Sequence, residues 1–151
     1  MIGHGREFST PFSNVALWYE DVHFVTIQGE ATVANQTAYT FNQGEADYFA
    51  ALAAALKTKS NKIAILDSFY IKERKNEFEL ALQYYLPEAI LYHESVNSRV
   101  DSEKAIELMD RLLDKGVDVV YTRGNAYNSD IIHMAKTKGF YVIGYLEDQA
   151  I

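Results

Sequence analysis

Apolar positions along this chain alternate between a strand-like and a helix-like period. Short apolar runs at residues 22–27, 62–66, 89–93, 117–122 and 140–146 read as strands, rich in β-branched and aromatic side chains. A shorter strand candidate lies at 37–41. Helical spacing recurs between them. Thr10-Pro11 predicts a helix start with proline at the first helical position, followed by Phe12, Val15, Ala16 and Tyr19 on one stripe. Asn42 with Glu45 three residues on resembles a capping box, opening a helix with Ala46, Phe49, Ala53 and Leu56 on one face. A further helix runs to about Tyr85, turns Phe78, Ala81, Leu82 and Tyr85 inward, and is stopped by Pro87. Asp101 caps a helix carrying Ala105, Ile106, Met109, Leu112 and Leu113, closed by Gly116, and a last helix near 129–138 is closed by Gly139.

From residue 42 onward the order is αβαβαβαβ, which predicts an α/β fold with a doubly wound parallel sheet in three αβα layers. Right-handed crossovers place strand 62–66 between 89–93 and 117–122, with 140–146 last, a spatial order of 2-1-3-4. Residues 42–151 thus read as one domain. Residues 1–41 offer one helix and one good strand, too little to close a core, and read as the tail of another domain. The apolar face of residues 12–27 then needs a cover, so a homodimer, a swapped segment or a missing-lobe partner is expected.

Composition narrows the chemistry. With 48% hydrophobic residues in 151, a packed core is expected and disorder is not. Fourteen Lys and Arg against 21 Asp and Glu give a net charge of -7, which disfavours direct nucleic-acid binding. The 0 cysteines exclude disulfides, thiolate metal sites and cysteine nucleophiles. No apolar run approaches the ~18–20 residues of a membrane span, and the first residues lack a signal-peptide pattern. As written, the chain reads as cytoplasmic; excised from a membrane-anchored or lipoprotein precursor, it would belong to the cell surface.

Open parallel sheets bind ligands at the carboxyl ends of their strands. Here those ends carry Asp67-Ser68-Phe69, Thr122-Arg123-Gly124-Asn125 and Glu147-Asp148-Gln149. Ser68, Phe69, Thr122, Arg123, Asn125, Glu147 and Asp148 are therefore the candidate ligand-binding residues, around a small polar ligand. Arg123 with Asp148 is either a polar clamp or a surface ion pair worth about 0–1 kcal/mol. Ser68 either touches ligand or caps the next helix. Asn42 and Gln43 lie at an inferred crossover and serve as hinge or cap. Gly3-His4-Gly5 reads as a strand-exit loop, and Phe69 or Tyr127 as aromatic contacts to a ring. His4, His23, His93 and His133 are scattered without metal-ligand spacing or a carboxylate partner. No phosphate loop, nucleophile elbow or metal cluster is present in the sequence, so neither catalytic residues nor a cofactor are expected.

Several segments together carry a family resemblance: Gly3-His4-Gly5, residues 22–30, residues 45–59 leading to 62–66, Lys115-Gly116-Val117-Asp118-Val119-Val120-Tyr121, and Gly144-Tyr145-Leu146-Glu147-Asp148-Gln149-Ala150. In order and spacing the chain resembles the basic membrane lipoprotein family, periplasmic-binding-protein-like receptors for nucleosides, and within it a Bacillus branch of transcriptional activators of competence. The resemblance implies a type I fold of two α/β lobes joined by a hinge, with ligand between them. Residues 1–41 would be the end of lobe one and 42–151 most of lobe two. Two departures stand out. Leu146 occupies the place where nucleoside-binding members carry an Asp, and Arg123-Gly124-Asn125-Ala126 replaces a glycine-rich turn. An arginine there fills space and adds a donor fork. Both changes fit a regulatory branch with an altered or absent ligand: a non-enzymatic sensing module or, alternatively, a protein-interaction module with a vestigial cleft.

Overall fold

The structure, a computed structural model, describes residues 1–41 and 43–145. The chain divides into two compact units, Met1–Asn42 and Gln43–Ile151.

The first unit is a three-stranded parallel sheet in the order β1-β2-β3: β1 Ile2–His4, β2 Phe24–Ile27 and β3 Gln36–Tyr39. Helix α1, Ser9–Ala16, covers one face and buries Phe12 and Ala16 against Phe24. Two expectations are corrected here. Gly3-His4 is not a loop but strand itself, because Ile2, Gly3 and His4 pair in register with Val25, Thr26 and Ile27. A side chain at position 3 would collide with Phe8 and Phe12, so glycine lets the aromatic rings close over the strand. The helix also starts before Thr10, because Pro11 is tolerated anywhere in a first turn whose N–H groups have no helical partner. Ser9 Oγ accepts the Glu30 amide at 2.9 Å instead, and Gln36 ties Ser9, Ser13 and Glu30 together. The unit thus has its own small core, and part of the 12–27 face is buried within it, although Leu17, Trp18 and Tyr19 remain exposed.

The second unit is a four-stranded parallel sheet ordered β5-β4-β6-β7, the 2-1-3-4 order expected. Its elements are α2 Gln43–Lys57, β4 Lys62–Asp67, α3 Lys72–Tyr85, β5 Ile90–Ser95, α4 Ser102–Asp114, β6 Val119–Arg123, α5 Asn128–Lys138 and β7 Tyr141–Ile143. Strand alternation divides the core. Ala64, Leu66 and Val120 face α4 and α5, while Ile63, Ile65, Val119 and Tyr121 face α2 and α3. This is the three-layer arrangement in which parallel strands are buried on both faces. Asp101 caps α4 by accepting the Lys104 amide at 2.9 Å, and Gly116 and Gly139 take left-handed backbone after α4 and α5.

The buried stripe of α2 differs from the one expected. Asp47, Ala50, Ala51 and Ala54 face inward, while Ala46, Phe49, Ala53 and Leu56 face solvent. The helix is apolar on nearly all sides, so period alone does not fix its phase. Small alanines win the inner face because they let α2 lie close to the sheet and to α3. Tyr85 and Ile106 likewise sit at the surface and not inside. Asn42, of the proposed capping box and hinge, lies outside the described residues, as do Leu146, Glu147 and Asp148.

At the N-terminal edge of this sheet, Asp118 binds the α2–β4 connection. Its carboxylate accepts Thr58 Oγ1 at 2.6 Å and the amides of Lys59 and Ser60 at 2.6 and 2.9 Å. Asp118→Ala is expected to lower stability by about 1–3 kcal/mol, read as a drop in the urea midpoint with unchanged slope.

Candidate functional site

Strand register brings the polar exits together. Asp67 lies beside both Ser95 and Arg123, so the ends of β4, β5 and β6 form one edge. Val119–Arg123 is buried throughout, and its last residue carries a guanidinium only 1% exposed. A charge so desolvated must be paired. The Arg123 fork donates through Nε and Nη2 to both oxygens of Asp67, and through Nη1 to Asp47 Oδ1 at 3.1 Å. Arg74 on α3 makes a second fork on Asp47, with both contacts at 2.8 Å. His93 on β5 reaches Asp67 Oδ2 through Nε2 at 2.5 Å. Two carboxylates thus balance two guanidiniums, with an imidazole at one end.

The environment tunes these groups. Burial pushes the Asp67 carboxyl up, but the hydrogen bonds from His93 and Arg123 together outweigh it and hold it below the usual carboxylate range. For Arg74, burial favours the neutral form, and the Asp47 hydrogen bond overrides it to keep the cation. Burial, with Asp47 nearby, pushes the Tyr121 phenol up. Its ring stacks on Phe78 at 5.8 Å and lies 5.5 Å from the Arg123 guanidinium carbon.

Above this base sits a rim of exit loops. Ser68 Oγ donates to the Arg123 carbonyl at 3.3 Å and meets the Tyr127 hydroxyl at 3.3 Å. It does not cap α3, whose N-cap is Ile71 without a side-chain cap. Tyr127 is fully buried, its phenol pushed up to about 12 chiefly by burial, so it underlies the rim and cannot sandwich a ring. A side chain at Gly124 would strike the Tyr127 ring, which explains the glycine there. Thr122 is buried too: its hydroxyl donates to Asn128 Oδ1 at 2.8 Å, while Asn128 also brackets the Gly124 amide and carbonyl. Phe69, 48% exposed, and Asn125, exposed, stand at the surface, and the exposed Tyr70 ring lies tilted 5.0 Å from the His93 ring.

Of the sequence candidates, Ser68, Phe69, Thr122, Arg123 and Asn125 therefore come to one sheet edge. Arg123 is buried, with Asp67 and Asp47 as its partners among the described residues; the expected pairing with Asp148 falls outside them. Glu147 and Asp148 lie outside the described residues, and Gln43 begins α2. Sequence reading missed Asp47, Arg74 and the His93–Asp67 contact. The available signal was Asp47, a carboxylate in phase with Ala50, Ala51 and Ala54. Among the described residues no three metal-ligating side chains converge, and no helix is long and apolar enough to cross a membrane.

Residues 1–151 match the family described as Bmp, ABC transporter substrate-binding protein PnrA-like. The chain belongs to the Bmp family. Within that setting it is 29% identical over 150 residues to transcriptional activator protein Med of Bacillus subtilis (strain 168), covering 99% of this chain and 47% of Med. It is also similar to the crystal structure of a transcriptional activator of the comK gene from Bacillus halodurans, at 32% identity and TM-score 0.88, over 99% of this chain and 52% of that one. An ABC transporter solute-binding protein from Aeropyrum pernix K1 shares the fold at 16% identity and TM-score 0.73, over 95% of this chain and 45% of that one. This Bmp-family chain thus spans about half the length of these relatives, and its fold is part of a periplasmic-binding-protein type.

Removing the central cation strips buried Asp67 of its guanidinium and leaves buried Asp47 to Arg74. Arg123→Met is expected to destabilise the protein by about 3–5 kcal/mol in urea unfolding. Acid tests the same network. The native state holds the Asp67 proton less tightly than the unfolded chain, so its contribution is complete above about pH 4 and is lost as pH falls through the lowered native value. Asp67→Asn is expected to be less stable than the parent at pH 7 but to lose less stability between pH 7 and about pH 3.

Proposed function

We propose that this chain is the ligand-sensing portion of a Bmp-type regulator, binding a small polar molecule at the C-terminal edge of the four-stranded sheet without transforming it. The observation that carries this reading is the charge balance beneath the rim. Arg123, Arg74, Asp47 and Asp67 satisfy one another, so they leave no net charge to attract an ionic ligand. What the rim presents is a hydroxyl at Ser68, an amide at Asn125 and an aromatic ring at Phe69. Those groups suit a neutral molecule with a planar ring and hydroxyls, of which a nucleoside is the example the family resemblance offers. In this reading Thr122 and Arg123 hold the loops from beneath, and Glu147, Asp148 and the hinge residues Asn42 and Gln43 complete the binding region.

In the same proposal residues 1–41 are the end of one lobe and residues 42–151 most of another. Ligand would act by shifting the population of open and closed forms, which requires different affinity for the two. The link to transcription is supported by the likeness to Med and to the comK-gene activator, and the link to competence by the family resemblance alone. One observation favours a second reading, a protein-interaction module with a vestigial cleft: the Arg123 side chain is 1% exposed and its donors are taken by Asp67 and Asp47.

A thermal-shift series decides between the two. A ligand that binds only the native state at about 100 times its Kd stabilises by about 2.7 kcal/mol. Under the sensing reading, a neutral nucleoside or nucleoside-like compound raises the melting temperature, and Phe69→Ala and Asn125→Ala reduce that rise while leaving the ligand-free melting temperature nearly unchanged. No rise across a broad panel of neutral ring compounds would favour the interaction reading.

A further inference from the structure

Helix α2 carries two apolar faces and uses one. Its inner face, Ala50, Ala51 and Ala54, packs into the sheet core. Its outer stripe is Ala46, Phe49, Ala53 and Leu56, all exposed, with Phe49 64% and Leu56 77% accessible. A helix apolar on all sides normally lies in an interior. The patch continues onto α3 through rings in contact: Tyr48 lies 6.0 Å from Tyr85, and Tyr85 lies 4.9 Å from the exposed Tyr84. Contiguous exposed apolar surface of this kind marks an interaction site.

The spacing of the stripe names its occupant. Positions 46, 49, 53 and 56 follow the alternating three-and-four step of a coiled-coil seam. Along that seam small and large residues alternate: Ala, Phe, Ala, Leu. If a second α2 lies antiparallel across it, with the two-fold axis level with residue 51, Phe49 meets the partner's Ala53 and Leu56 meets the partner's Ala46. Every large side chain then faces a small one, in both directions, as an isologous interface requires. A parallel pair would instead oppose Phe49 to itself and leave gaps between the alanines. Charge agrees with the antiparallel choice. The first turn of α2 is acidic at Glu45 and the last is basic at Lys57. Antiparallel packing sets the acidic end level with the partner's basic end and pairs opposite helix-dipole ends.

We infer that the outer face of α2 is a self-association surface, on which two copies of this chain pair through antiparallel α2 helices. Two heptads form a small contact, below or near the 1,200–2,000 Å² of stable interfaces, so the dimer is concentration-dependent.

Sedimentation equilibrium on the full chain over a wide concentration range tests this. The expected result is a reversible monomer–dimer equilibrium that Phe49→Glu weakens about tenfold or more, with an unchanged urea midpoint at concentrations where the parent is monomeric, because Phe49 lies at the monomer surface. Geometry is read separately. The protein has 0 cysteines, so Phe49→Cys and Ala53→Cys each introduce one thiol. Mixed and mildly oxidised, the two variants are expected to form the mixed disulfide in preference to either symmetric one. A monomer at the highest soluble concentration, a dimer indifferent to Phe49→Glu, or cross-linking without preference for the mixed pair would each overturn the proposal.

Discussion

The Arg123 guanidinium stands at the end of a strand buried along its whole length, where an unpaired cation would be strongly destabilising. Two carboxylates must therefore arrive within hydrogen-bond reach, and their arrival constrains most of the second unit. Asp67 has to end β4 in register with Arg123. Asp47 has to sit on the inner face of α2, the same rotation that the close packing of Ala50, Ala51 and Ala54 selects. Arg74 follows on α3 to satisfy what remains of Asp47, and His93 on β5 reaches the Asp67 oxygen that faces it. Three strands and two helices thus share one electrostatic solution. The exit loops of β4 and β6 stand above a base whose charges are already paired with one another.

The two edges of the sheet divide their tasks. At the N-terminal edge, Asp118 gathers a hydroxyl and two amides and closes the connection between α2 and β4. At the C-terminal edge, Asn128 brackets Gly124 and holds Thr122, so that Asn125 stands out from a turn fixed on both sides. One edge is tied shut and the other is held open in a defined shape. The second edge is the carboxyl end of the strands, where open parallel sheets carry their ligands.

The fold was largely legible in the residues. Strands such as 62–66 and 117–122 announce themselves by dense β-branched runs, and the alternation with helices dictates parallel pairing and the 2-1-3-4 order. Family membership was legible as well, through short segments in the right sequence. The phase of α2 was not, because a helix rich in alanine has hydrophobic residues wherever one looks, and packing distance rather than hydrophobicity selects the inner stripe. Strand β1 was hidden for a related reason: Ile2-Gly3-His4 is too short to show a period, and it becomes a strand only because β2 offers an edge. At the candidate site, the placement of Ser68, Phe69 and Asn125 on one edge followed from topology. The partners of Arg123 did not, since they depend on side-chain reach from α2 and β4, which no spacing in the sequence records.

The central position of β4 carries a further consequence. Both of its neighbours, β5 and β6, come later in the chain, and the bonds from Arg123 to Asp67 and Asp47 span 56 and 76 residues. During synthesis Asp47 is followed by Arg74 after 27 residues and Asp67 by His93 after 26, while the guanidinium that bridges the two acids emerges after both. The link between the helix pair and the strand ends is therefore a long-range one, the kind of contact whose chain-closure cost slows folding.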